Sequence, residues 1–100
     1  GDIVVCGSHG GVSAGEYALK HQVRAVFFND AGIGKNNAGI KSLETLSNAG
    51  IPACTVDCMS AEIFNGLDVF ENGIISVCNK LAGSRNIREK MTVKEALQKI

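Results

Sequence analysis

Charge of either sign is not in excess in this chain. Ten basic and ten acidic residues cancel to a net charge of zero. No basic surface is therefore expected to attract a phosphate backbone or an anionic lipid headgroup, which excludes the nucleic-acid and membrane-surface classes. Long apolar runs are also missing, and none approaches the ~20 residues that a membrane-spanning helix requires. No internal repeat, low-complexity stretch or linker divides the chain. No secretory signal reads at its start, so a cytoplasmic protein is expected.

Several chemical signatures are missing too. No G-x-G-x-x-G follows the first apolar run, so the dinucleotide fingerprint is absent. Gly32-Ile33-Gly34-Lys35-Asn36 has the wrong glycine spacing for a phosphate loop, and Asn36 stands where that loop needs Ser or Thr. No G-x-S-x-G nucleophile elbow is present. Four cysteines occur, Cys6, Cys54, Cys58 and Cys78. They lack the paired C-x₂-C spacing of a zinc site, and the expectation is reduced, mostly buried thiols with no disulfide. His9, Asp30 and Asp57 would make a poor metal set without a second histidine. No metal is assigned, and the sequence names no cofactor.

What remains is a single domain over residues 1–100. Its 45% apolar content suffices for a core. Three short β-branched runs read as strands near 3–7, 23–28 and 52–56. Helices are expected near 12–21, 38–49 and 73–82. Ser13 to Glu16 reads as a capping box for the first. Ala14, Tyr17, Ala18 and His21 form its inner face. Ile40, Leu43 and Leu46 form the inner stripe of the second, with Asn36 and Asn37 as caps and Gly50 ending it as the C′ residue. Ile74, Ile75, Cys78, Leu81 and Ala82 give the third. Residues 67–70 read as a short extended piece between turn signals at Asn65-Gly66 and Asn72-Gly73. A capping box at Thr92 to Glu95 opens a last helix with Val93, Ala96, Leu97 and Ile100 inward. The fold class is α/β: a small three-layer βαβαβα domain, with a parallel sheet of about three strands and a C-terminal helix.

Polar residues collect after each strand. Ser8-His9-Gly10-Gly11 follows the first, Asn29-Asp30-Ala31-Gly32-Ile33-Gly34-Lys35 the second, and Asp57-Cys58-Met59-Ser60 the third. In a parallel sheet these clusters share one edge, where α/β domains bind ligands. If the strand order reverses beside the first strand, the Ser8 to Gly11 loop sits at a crevice.

His9 is the candidate for proton transfer, because imidazole titrates near neutral pH. A bond to a loop carbonyl is its structural alternative. Asp30 is the candidate partner, and a turn role is the alternative. Asn29 could donate to an oxyanion. Lys35 could contact an anion or simply be solvated. Asp57 and Ser60 could bind substrate, or cap a turn. Ser8 adjoins His9 on an extended stretch and points the other way, so it is placed in binding. Cys58 could act as a nucleophile with His9 as base only if the strand ends are adjacent. Gly10, Gly11, Gly32 and Gly34 would form backbone walls. His9-Gly10-Gly11 after a strand resembles the oxyanion loop of α/β-hydrolases. That resemblance covers three residues and assigns no family.

The leading expectation is an enzyme of hydrolase or lyase type. It would act on a small anionic or carbonyl-containing metabolite through His9 and Asp30. The alternatives are a non-catalytic small-ligand or anion-binding domain, and a structural subunit. A domain this small exposes a large share of its surface, so a homo-oligomer is expected, with apolar residues of an edge strand or of the last helix (Val93, Leu97, Ile100) hidden between copies.

Overall fold

The computed structural model describes residues 3–9, 12–21, 23–30, 32, 40–62 and 65–100. For 7–9, 12–14 and 17 it describes the backbone alone. The elements are β1 (Ile3–His9), α1 (Val12–Lys20), β2 (Ala25–Asn29), α2 (Ser42–Asn48), β3 (Ala53–Val56), α3 (Gly66–Asn72), β4 (Ile75–Cys78), α4 (Lys80–Ser84) and α5 (Val93–Leu97). The sheet has four strands in the order β1-β2-β3-β4. β1, β2 and β3 are parallel, and β4 joins β3 antiparallel.

Alternation along the strands sorts the core into two clusters. Val4, Cys6, Val26, Phe28 and Ala53 pack with Ala18 of α1 and with Leu43 and Leu46 of α2. Val5, Phe27, Cys54 and Val56 pack with Val69 of α3 and with Val93 and Ala96 of α5. Side chains two apart share a face, so each β-branched or aromatic run feeds both clusters. α1 and α2 meet where Gly15 lies against Ser42, so closely that a Cβ at residue 15 would collide with the Ser42 side chain.

The C-terminal end of α2 follows from local chemistry, whereas Ser13, expected to cap α1, lies inside that helix. α2 ends at Asn48 with Ala49 as its C-cap, and Gly50 takes φ +83°. The Gly50 and Ile51 amides donate back to Ser47 and Leu46 at 3.1 and 2.9 Å. This is the Schellman arrangement for which a C′ glycine is suited. The expected caps Asn36 and Asn37 lie outside the described residues, and Lys41 occupies the N-cap without a side-chain bond. His21 is exposed rather than inward.

The second half of the chain corrects the sequence reading. No helix spans 73–82; β4 and α4 occupy that stretch. The cause is a β-bulge. Cys54 pairs with Cys78, Thr55 with Val77 and Val56 with Ile75, which leaves Ser76 as an extra residue. The insertion sends Ile75 and Cys78, three apart, into the same cluster and Val77 into the other. A bulged strand thus imitated helical spacing. Residues 67–70 are helical, not extended. Asn65 caps α3, its side chain accepting from the Asp68 amide at 3.0 Å, so Asn-Gly opens a helix here instead of making a turn. The Thr92–Glu95 capping box is present in both directions.

Two further expectations change. Val93 is fully buried, and Leu97 and Ile100 pack against the same core, so the last helix offers no apolar stripe for self-association. The exposed large apolar side chains among the described residues are Met59, Leu67, Phe70 and Ile74. The strand order also runs in one direction, so no reversal creates a crevice beside β1.

Candidate functional site

Parallel pairing brings the polar segments that follow β1, β2 and β3 to one edge of the sheet. The backbone of His9 pairs with Asn29, and Asn29 pairs with Val56. Between Val5 and His9 the register of β1 slips, so that four steps of β1 match two of β2. Ser8 lies inside this irregular stretch. Irregularities of this kind occur next to active sites, where they redirect a segment. Gly10, Gly11, Gly34 and Lys35 lie outside the described residues.

Asp30 is the organising residue of this edge. It is only 5% exposed. Its Oδ1 accepts from the Gly32 amide at 2.8 Å and from the Cys58 amide at 3.0 Å. Its Oδ2 accepts from the Ser76 hydroxyl at 2.7 Å. One carboxylate therefore joins the turns after β2 and β3 to the bulge of β4. Burying such a group is tolerable because donors satisfy both oxygens. The network extends to Thr55, fully buried, whose Oγ1 lies 3.0 Å from Ser76 Oγ. Since Ser76 spends its proton on Asp30, Thr55 is the donor of that second bond.

Gly32 takes φ +74° and is exposed. A Cβ there would sit 3.7 Å from the Cys58 sulfur, so the half-buried thiol borders this turn. The left-handed backbone suits glycine, and the Asp30 side chain closes the turn over it.

The remaining candidates separate. Asn29 is fully buried, and its amide donates to the Ala61 carbonyl at 2.9 Å. It faces the α3/α5 side, while Asp30 faces the other, as successive residues of an extended chain do. Asn29 thus ties the end of β2 to the segment after β3. Asp57 is exposed, its Oδ1 accepting from the Met59 amide at 2.8 Å. The Ser60 hydroxyl donates to the Asp57 carbonyl at 2.6 Å and accepts from the Ile74 amide at 3.0 Å. Both are engaged in the turn that links β3 to the start of β4.

Ser76 and Thr55 escaped the sequence reading. Ser76 had no signal, because its strand read as a helix. Among the described residues, no group of three His, Cys, Asp or Glu side chains could hold a metal ion. Two cavities lie among the described residues. One of about 400 Å³ is bordered by Ile40, Leu43, Val77 and Asn79, and one of about 640 Å³ by Gly15, Leu19, Ser42 and Thr45.

The fold defines a class: a small α/β domain with a mostly parallel sheet, polar turns at one strand edge, and no described helix long and apolar enough to cross a membrane. The chain matches no family model, no curated protein and no solved structure.

Proposed function

We propose that the edge formed by the ends of β1, β2 and β3 is a small-molecule site, and that the chain is an enzyme of hydrolase or lyase type acting on a small anionic or carbonyl-containing metabolite. His9 transfers the proton. Asp30 holds the Gly32 and Cys58 turns in place instead of trading protons itself. The observation that carries this reading is the Asp30 carboxylate gathering Gly32, Cys58 and Ser76 beside the strand end that bears His9. Ser8 and the backbones of Gly10, Gly11, Gly32 and Gly34 would line the ligand, with Lys35 as its counter-charge. Asn29, Asp57 and Ser60 would act by fixing the turns around it.

A second reading, a non-catalytic ligand-binding domain, is favoured by the same bonds. Both Asp30 oxygens already hold donors, which suits a rigid binding edge. We also propose that the chain self-associates, as a domain of this size leaves much surface uncovered.

Amide NMR titrations with inorganic phosphate, succinate and pyruvate test the site. Shifts at Gly32, Cys58 and Met59 are expected from at least one of them. Turnover of that compound, lost in His9→Ala while the shifts persist, identifies the enzyme. Shifts without turnover in the parent protein identify the binder. Shifts confined to the cavity between α1 and α2 would overturn the location.

A further inference from the structure

Cys54 and Cys78 face each other across β3 and β4. They are register partners, and their sulfurs lie 3.5 Å apart with the Cys54 thiol donating. The Asn79 backbone amide donates to the Ala53 carbonyl at 2.9 Å, as at a hydrogen-bonded position of the ladder, while the Ala53 amide turns to the Asn79 side-chain oxygen at 3.1 Å. The next pair along an antiparallel ladder is then non-hydrogen-bonded. At such a pair the Cα atoms approach to ~4.5 Å and the side chains are closest. That separation falls within the range that disulfides bridge, ~4.4 to 6.8 Å. No other described cysteine is so placed. Cys6 lies on β1, separated from β3 by β2, and packs on the opposite face. Cys58 sits beyond the end of β3, beside Gly32.

The pair is also asymmetric. Cys54 is buried, while Cys78 is half-buried and reachable. The hydrogen bond from Cys54 holds the Cys78 thiol below its ordinary range; burial and the Glu89 charge oppose this, and the Arg88 charge adds to it. The same bond, together with burial, pushes the Cys54 thiol up. Because Cys78 is the more exposed of the two, it is the sulfur suited to attack, and buried Cys54 the one suited to wait as a thiol.

We propose that Cys54 and Cys78 form a reversible thiol–disulfide couple, oxidised by a small disulfide of the glutathione class. The Cys78 thiolate attacks one sulfur of that disulfide. The S–S bond breaks, one thiolate leaves, and a mixed disulfide remains on Cys78. Cys54 then gives up its proton and attacks the Cys78 sulfur. The second thiolate leaves, and a bond closes across β3 and β4. Two protein thiols are oxidised by two electrons, and one small disulfide is reduced to two thiols that take up the two protons.

The test incubates the folded protein with oxidised glutathione, alkylates the remaining thiols in denaturant, and maps the disulfide-linked peptides by mass spectrometry. Two of the four thiols are expected to disappear, with a Cys54–Cys78 link that dithiothreitol reverses. Cys54→Ser should instead accumulate glutathione on Cys78, because the resolving thiol is gone. Cys78→Ser should accumulate none on Cys54. If either variant fails to fold by circular dichroism, the parent peptide map still decides. Retention of all thiols in the parent, or a link through Cys6 or Cys58, overturns the proposal.

Discussion

Replacing Asp30 tests whether this carboxylate holds the strand edge together. Asp30→Ala removes the acceptor of bonds from Gly32, Cys58 and Ser76. A hydrogen bond to a charged group contributes ~1.5–3 kcal/mol, and a stranded buried donor costs ~1–3 kcal/mol. The Gly32 turn is exposed, so its amide recovers a bond to water. The Cys58 amide and the Ser76 hydroxyl are only partly buried, so they recover less. The net loss should be about 3–5 kcal/mol, a large fraction of the stability of a small domain. At about 4–8 °C per kcal/mol, a domain of this length should melt at least about 12 °C lower. Asp30→Asn keeps the amide oxygen for Gly32 and Cys58 and turns its NH₂ toward Ser76, whose hydroxyl can accept. It should cost only about 1–2 kcal/mol, because the bonds survive without the charge. Urea unfolding followed by circular dichroism measures both, with an unchanged m-value showing that the same surface unfolds. A loss under about 1 kcal/mol for Asp30→Ala, or equal losses for the two variants, would refute the assignment of Asp30 as the tie between the turns and β4.

Gly15→Ala should destabilise by about 1–3 kcal/mol, since the added methyl meets Ser42 where α1 and α2 touch; helix propensity alone predicts a gain of about 1 kcal/mol, so thermal melting separates the two. The Asn72 amide and the Glu62 backbone amide, both bonded to Asp68 at 2.6 Å, hold its carboxyl below the usual carboxylate range. A depressed native pKa gives stability that is present above the unfolded value and lost as pH falls through the folded one. NMR titration of Asp68 should show the depression, and Asn72→Ala should move the midpoint upward; an unmoved midpoint would exclude the Asn72 bond as its main cause. Light scattering at micromolar concentration should report more than one copy per particle, and a monomer would remove the self-association proposal.

The first half of the fold was legible because its signals are redundant. β1, β2 and β3 are apolar runs that end in polar clusters. Gly50 marks the end of α2 by a backbone demand that no other residue type meets as cheaply. The Thr92 box marks α5 by reciprocal bonds. Beyond β3 the signals became degenerate. The Ser76 insertion put Ile75 and Cys78 on one face at a spacing that a helix also uses. Asn65 looked like turn chemistry because Asn serves turns and N-caps equally well. For the candidate site, sequence placed Asp30 just beyond the end of β2, where it lies. It could not show that Asp30 faces Ser76, because that contact crosses β3 and depends on a strand hidden by its bulge. Asn29 looked equivalent to its neighbour, and only the pleat separates them, sending one to Ala61 and the other to Ser76.

The order β1-β2-β3-β4 repeats the order of the chain. Each strand is therefore laid down at the edge left by the one before it, and none has to be threaded between two already in place. Loop-closure entropy is met in short instalments, since every new strand seeks the neighbour that precedes it in sequence. The carboxylate of Asp30 waits at the end of the second strand for a hydroxyl on the fourth, so the bond that joins these turns to the bulge forms only when the last strand arrives.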